Sequence, residues 1–161
     1  VCKAMQAAKV IGTEVSEYRI GLAEQVGLDA VINPLKEDAD KRIFDLAPGG
    51  VDGTLEMSGH PSALELAVRH TRPGGRISLL GVYPESIQAV DINSVVFKGI
   101  DVQGIAGRRL WQTWDQMAVL LREDKLKLEP VITHKMHFTE FQKAMELMKA
   151  GQAGKVVFLF D

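Results

Sequence analysis

The chain has 161 residues, 46% of them hydrophobic, a formal net charge of −2 and a single cysteine. This is enough for one substantial core, and Lys and Arg are too evenly spread to suggest a nucleic-acid partner. Cys2 alone excludes an internal disulfide framework, and no apolar run approaches the ~20 residues that span a bilayer.

Four histidines fall outside zinc-finger and metalloprotease spacings. The first residues carry no charged-then-apolar leader, so the sequence reads as that of a soluble, cytoplasmic protein from a reducing compartment. It starts in mid-pattern, without an initiator methionine, and reads as part of something longer.

Val1, Ala4, Met5 and Ala8 recur at helical spacing, which predicts the last part of an amphipathic helix. A strand follows from Lys9 to Val15. Ser16 can then cap a helix whose apolar face is Tyr18, Leu22, Ala23 and Val26, stopped at Gly27. A short strand, Ala30 to Ile32, precedes Asn33 and Pro34.

The cycle repeats with a helix through Ala39, Ile43 and Ala47, a break at Pro48-Gly49-Gly50 and a strand from Val51 to Met57. Pro61 opens a helix with Leu64, Ala67, Val68 and Thr71 on its face, ended by Pro73-Gly74-Gly75. Arg76 to Val82 reads as a buried strand and Val95 to Ala106 as another. A helix carrying Leu110, Trp114, Met117, Ala118 and Leu121 on its inner face comes next.

Beyond Pro130 the sequence predicts an extended VITHKMHF, a helix opened by a capping box at Thr139 and Gln142, and a terminal strand KVVFLF. Strands alternating with helices at this rhythm imply an α/β fold with a mainly parallel, doubly wound sheet.

Glu14 ends the first strand, at the edge where doubly wound sheets present ligands. Its two acceptor oxygens suit the ribose hydroxyls of NAD and would repel the 2′-phosphate of NADP. Capping of the next helix is an equal use of that carboxylate. Arg19, five residues on, could stack on adenine, although an ordinary solvated arginine is the plainer reading of that residue alone.

Leu80, Gly81 and Val82 would offer a flat, partly dry wall for a nicotinamide ring, and Ile105 and Ala106 backbone groups for its carboxamide. Each motif by itself also fits a simple turn. Ser58 and Gly59 read as punctuation, and Glu56, inside an apolar strand, is either paired or near the ligand cleft. An extended segment points His134 and His137 to opposite faces, which disfavours a shared metal.

In order along the chain, EVSEYRIGLAEQVG, LEMSG, GGRISLLG, FKGIDVQGIAGR and AGQAGKVV resemble the cofactor-binding part of the zinc-containing medium-chain dehydrogenases. The likeness is greatest to the branch acting on L-threonine. It implies NAD as cofactor, Glu14 and Arg19 on the adenosine half, and Leu80, Gly81, Val82, Ile105 and Ala106 on the nicotinamide half. It also implies that the family's zinc ligands and proton relay belong to a domain not represented here; Cys2 matches none of them.

The implied fold is Rossmann-like, without the first strand and its glycine-rich loop, which precede the ribose acid by ~20 residues. Because the first strand is central in the order 3-2-1-4-5-6, its absence should separate two groups of strands. The apolar KVVFLF, which in the whole enzyme would pack toward the absent domain, could instead fill the vacant slot in this chain or a neighbour's. Residues 1–127 would form the cofactor domain and 128–161 a segment packing toward the catalytic domain, with a homo-oligomer assembling through a strand at Lys98 to Gly107.

Competing readings are a non-catalytic nucleotide-binding module, a fragment assembled through its sheet edges, a polyol or simple alcohol dehydrogenase of the same family, and a methyltransferase. Arg19 and the LLG and IAG pair are unexpected in a methyltransferase.

Overall fold

The computed structural model describes residues 1–86, 89–126 and 128–160. These form an α/β protein in which every described strand pair is parallel, as the Rossmann-like expectation requires. The division expected after Lys127 falls at a residue outside the described ones. By packing, the chain forms two compact units, Val1–Ala39 with Trp111–Asp161, and Asp40–Leu110.

In the first unit, β1 (Ile11–Thr13) pairs with β2 (Ala30–Ile32) across α1 (Glu17–Gln25). Ser16 caps α1 as its composition predicts, accepting from the Arg19 amide, and Gly27 takes a left-handed φ of 85° just beyond its end. Tyr18 and Val26, expected on the packed face, are exposed; Leu22 and Ala23 are half-buried.

The expected leading helix is only a set of turns. Met5 and Ala7 donate to Val1 and Cys2 carbonyls, and Gln6, at φ 67°, stops propagation. Lys3 reaches instead to both carboxylate oxygens of Asp29, one of which also takes the Val10 amide at 2.6 Å.

The same unit contains α5 (Gln112–Arg122), β6 (Ile132–His137), α6 (Phe141–Lys149) and β7 (Lys155–Leu159). All five residues expected on the inner face around α5 are exposed. An amphipathic period fixes a face and not what covers it. The expected Thr139 capping box is replaced by a 3-10 turn, Phe138–Glu140, at which the His137 ring nitrogen accepts from the Thr139 amide.

Nor does β7 fill a vacant slot. It forms a parallel ladder with β6 from Ile132↔Lys155 to His137↔Leu159 and pairs with no other described strand. Ring contacts between Phe141 and Phe158, and between Phe138 and Phe160, accompany that pairing.

The second unit takes in all but the first residue of α2 (Ala39–Leu46) and holds a three-stranded sheet in the order β3-β4-β5. Its strands are β3 (Val51–Glu56), β4 (Thr71–Leu79) and β5 (Asp101–Gly104), connected by α3 (Pro61–His70) and α4 (Ile92–Lys98). Leu64, Ala67, Val68, Ile77 and Ile100 form one core, with Leu79, Tyr83 and Val95 packed against it. β1-β2 and β3-β4-β5 are separate sheets, the grouping that the 3-2-1-4-5-6 order yields without its central strand.

Several boundaries differ from expectation: β1 is confined to Ile11–Thr13, and β4 ends at Leu79, so that Leu80 to Val82 follow the strand. β4 starts at Thr71 and takes in Pro73 to Gly75 through a register shift opposite Val51 and Gly53. The stretch expected as one strand from Val95 is divided: Asp91 caps α4 by accepting from the Ser94 amide, and Gly99 ends it at φ 61°. Cap chemistry at both ends outweighs the strand propensity of Val95 and Val96.

Candidate functional site

At the carboxyl end of β1, the Glu14 amide extends the ladder by donating to the Ile32 carbonyl. The chain then turns, and Glu14 Oε1 accepts from the Val15 and Ser16 amides, each at 2.9 Å. Oε2 lies 3.5 Å from an Arg19 guanidinium nitrogen. One oxygen thus shapes the entrance to α1, while the other keeps acceptor capacity beside a half-exposed cation.

Ser16 links this rim to the turn after α6. Its hydroxyl donates to the Gly151 carbonyl at 2.8 Å, and a side chain on Gly151, at φ 68°, would meet Arg19 Nη2 and Ser16 Oγ. Asn33, buried at the end of β2, donates to Glu17, which also pairs with Lys36. The Lys36 and Asn33 hydrogen bonds hold the Glu17 carboxyl below its ordinary range.

The β3-β4-β5 sheet has its own carboxyl rim. Leu80 and Gly81 donate to the Glu56 carbonyl, and Ile105 donates to the Leu79 carbonyl, which brings the loops after all three strands together. Val82 is 90% exposed and Leu80 44%, so apolar groups face outward from a hydrogen-bonded backbone. Ile105 and Ala106 are also exposed.

Glu56 is only 3% exposed. Its Oε1 accepts from the Ser58 amide at 2.8 Å, the Ser58 hydroxyl at 2.6 Å and the Gly59 amide at 3.0 Å. Its Oε2 accepts from the Tyr83 hydroxyl at 2.8 Å. Burial by itself would raise this carboxyl, but bonds from Ser58, Tyr83 and Gly59 hold it below its ordinary value. Tyr83 moves the opposite way, raised by burial and by the adjoining carboxylate.

Sequence reasoning left Glu56 open between paired and cleft-lining; the structure shows it paired. It missed Tyr83, 27 residues downstream, for which no local pattern exists. Gly81 was expected to admit a ligand, yet a side chain there would first meet the Gly59 amide nitrogen at 2.1 Å. His134 and His137 each bond a neighbouring threonine, and among the described residues no cluster of His, Cys, Asp and Glu could hold a metal ion.

The sequence pattern of the zinc-binding dehydrogenases matches residues 1–123. An L-threonine 3-dehydrogenase of Thermococcus kodakarensis is 48% identical over 98% of this chain and 46% of its own length. A putative alcohol dehydrogenase from Sinorhizobium meliloti superposes with TM-score 0.85 at 32% identity, over 99% of this chain and 46% of its own. A short chain alcohol dehydrogenase from E. coli, complexed with NADH, gives TM-score 0.85 at 23% identity over 99% and 47%; that likeness concerns the fold. This chain spans just under half the length of the curated relatives it matches.

Proposed function

Since this chain belongs to the zinc-binding dehydrogenase family, we propose that it is the cofactor-binding part of an NAD-dependent secondary-alcohol dehydrogenase. Its substrate is L-threonine, oxidised at the 3-hydroxyl to 2-amino-3-oxobutanoate with formation of NADH. The substrate assignment is supported by the similarity to the Thermococcus enzyme. One observation carries the cofactor assignment: Glu14 presents an oxygen with remaining acceptor capacity at a parallel-strand rim, beside Arg19.

In this reading two groups of residues would hold the dinucleotide. In the first unit Glu14 would accept from the ribose and Arg19 would cover the adenine face; a 2′-phosphate at that carboxylate is repelled. In the second, Leu80, Gly81 and Val82 would form the nicotinamide wall, and Ile105 and Ala106 would offer backbone groups to the carboxamide. When bound, NAD is the hydride acceptor. These residues would bind and orient it.

Among the described residues no cluster of His, Cys, Asp and Glu could hold a metal ion; in this reading the family's zinc would be held by a catalytic domain outside these 161 residues. Residues 1–127 form the cofactor domain in this reading, and 128–161 lie toward the catalytic domain. A cytoplasmic location accords with the lone Cys2, and no described helix is long and apolar enough to cross a membrane.

The oligomer contact expected at Lys98 to Gly107 narrows to β5, whose four residues are all exposed at a sheet edge, because Lys98 and Gly99 close α4. A simple alcohol as substrate is the second reading, favoured by the Sinorhizobium neighbour.

Calorimetric titration with NAD and NADP tests the cofactor assignment. NAD should bind at least about tenfold more tightly, the scale of one charge-assisted hydrogen bond. Equal affinities would overturn it.

A further inference from the structure

Two glycine-containing loops meet at one buried carboxylate in the Asp40–Leu110 unit. The Glu56 side chain gathers the amides of Ser58 and Gly59 on Oε1 and the Tyr83 hydroxyl on Oε2, while its own carbonyl takes the Leu80 and Gly81 amides. Leu80 to Val82 is thereby fastened from both ends by the same residue.

The contact between the loops leaves no slack. A side chain on Gly59 would come within 2.3 Å of the Val82 carbonyl oxygen, and one on Gly81 within 2.5 Å of Glu56 Oε2. The Tyr83 ring is packed on the core of Leu64, Ala67, Val68, Ile77 and Ile100, so its hydroxyl fixes Glu56 relative to rigid elements. On this frame Val82 stands 90% exposed. An apolar group presented so far into solvent from loops this constrained would meet a ring with little reorganisation.

We infer that Glu56 and Tyr83 are positioning residues for the nicotinamide wall: neither touches the cofactor, and together they set where Leu80, Gly81 and Val82 stand. This rests on the reading of those three residues as the nicotinamide half-site. Loss of the Tyr83 hydroxyl removes one of the two fastenings, lets Glu56 Oε2 seek water and loosens the wall without touching the adenosine rim.

The test compares NADH with ADP-ribose, which lacks the nicotinamide, on the protein expressed from its complete reading frame. Tyr83→Phe keeps the ring in the core. It should weaken NADH by about tenfold, the weight of one buried hydrogen bond, and leave ADP-ribose within about twofold. Glu56→Gln should show the same split.

Equal effects on both ligands, or none on either, would overturn the inference. Val82→Asp separates the two levels. If it weakens NADH while Tyr83→Phe does not, the wall stands and the positioning role falls. If Val82→Asp leaves NADH unchanged, the wall assignment itself falls and the inference with it.

Discussion

Glu14 and Glu56 both close strands, and their different surroundings give them different work. Glu14 uses one oxygen on its own turn and leaves the other beside Arg19, partly in solvent; Glu56 is enclosed and has partners on both oxygens. Glu14→Gln keeps an acceptor for the Val15 and Ser16 amides but loses the charge and the outer acceptor. NADH affinity, followed by cofactor fluorescence, should fall about tenfold, and discrimination against NADPH should narrow. An unchanged ratio of the two affinities would place the ribose elsewhere. The place of Glu14, just past a strand and before a capped helix, was legible because it is a local pattern. The Glu56 and Tyr83 pair was not, because it joins loops that meet only once the sheet has formed.

Among the elements, α4 shows where local reading went astray. Val95, Val96 and Phe97 look like a strand, yet Asp91 and Gly99 frame them as a short helix, and only Asp101–Gly104 is extended. Lys98, at its end, donates to the Val68, Arg69 and Thr71 carbonyls around the close of α3, where a cation also meets the negative end of the helix dipole. The left-handed conformation of Gly99 directs the chain into β5. Gly99→Ala should cost about 1–2 kcal/mol, the penalty for an L-residue in that region, read as a lower urea midpoint at unchanged slope. A midpoint equal to wild type would mean that the cap is dispensable. The same lesson applies at α5, where the period was correctly seen and the burial was not.

At the scale of the whole molecule, the βα alternation revealed the α/β class and the parallel pairing, since both follow from periodicity. The division into sheets followed from strand order rather than from any residue. The pairing of β6 with β7 escaped, because an apolar strand does not name its neighbour. Stability of the Asp40–Leu110 unit should carry an acid limb. Glu56 is held below its ordinary 4.5 by Ser58, Tyr83 and Gly59 against the opposing effect of burial. Asp40 is held below 3.8 chiefly by Arg69, with His70 assisting. Lowered carboxyls stabilise fully above the unfolded values, and that contribution is lost as pH falls through the folded ones. Circular dichroism against pH should therefore show unfolding below about pH 4, and Glu56→Gln should flatten that limb; an identical limb would exclude Glu56 as a contributor.

The most direct measurement is NADH formation by the protein expressed from its complete reading frame, with L-threonine set against simple secondary alcohols and polyols. NADH should form with L-threonine as the preferred substrate, and none should form from these 161 residues alone. Reduction of NAD by another alcohol but not by L-threonine would contradict the substrate, and NADH formed by the 161 residues alone would contradict the assignment of this chain to binding rather than chemistry.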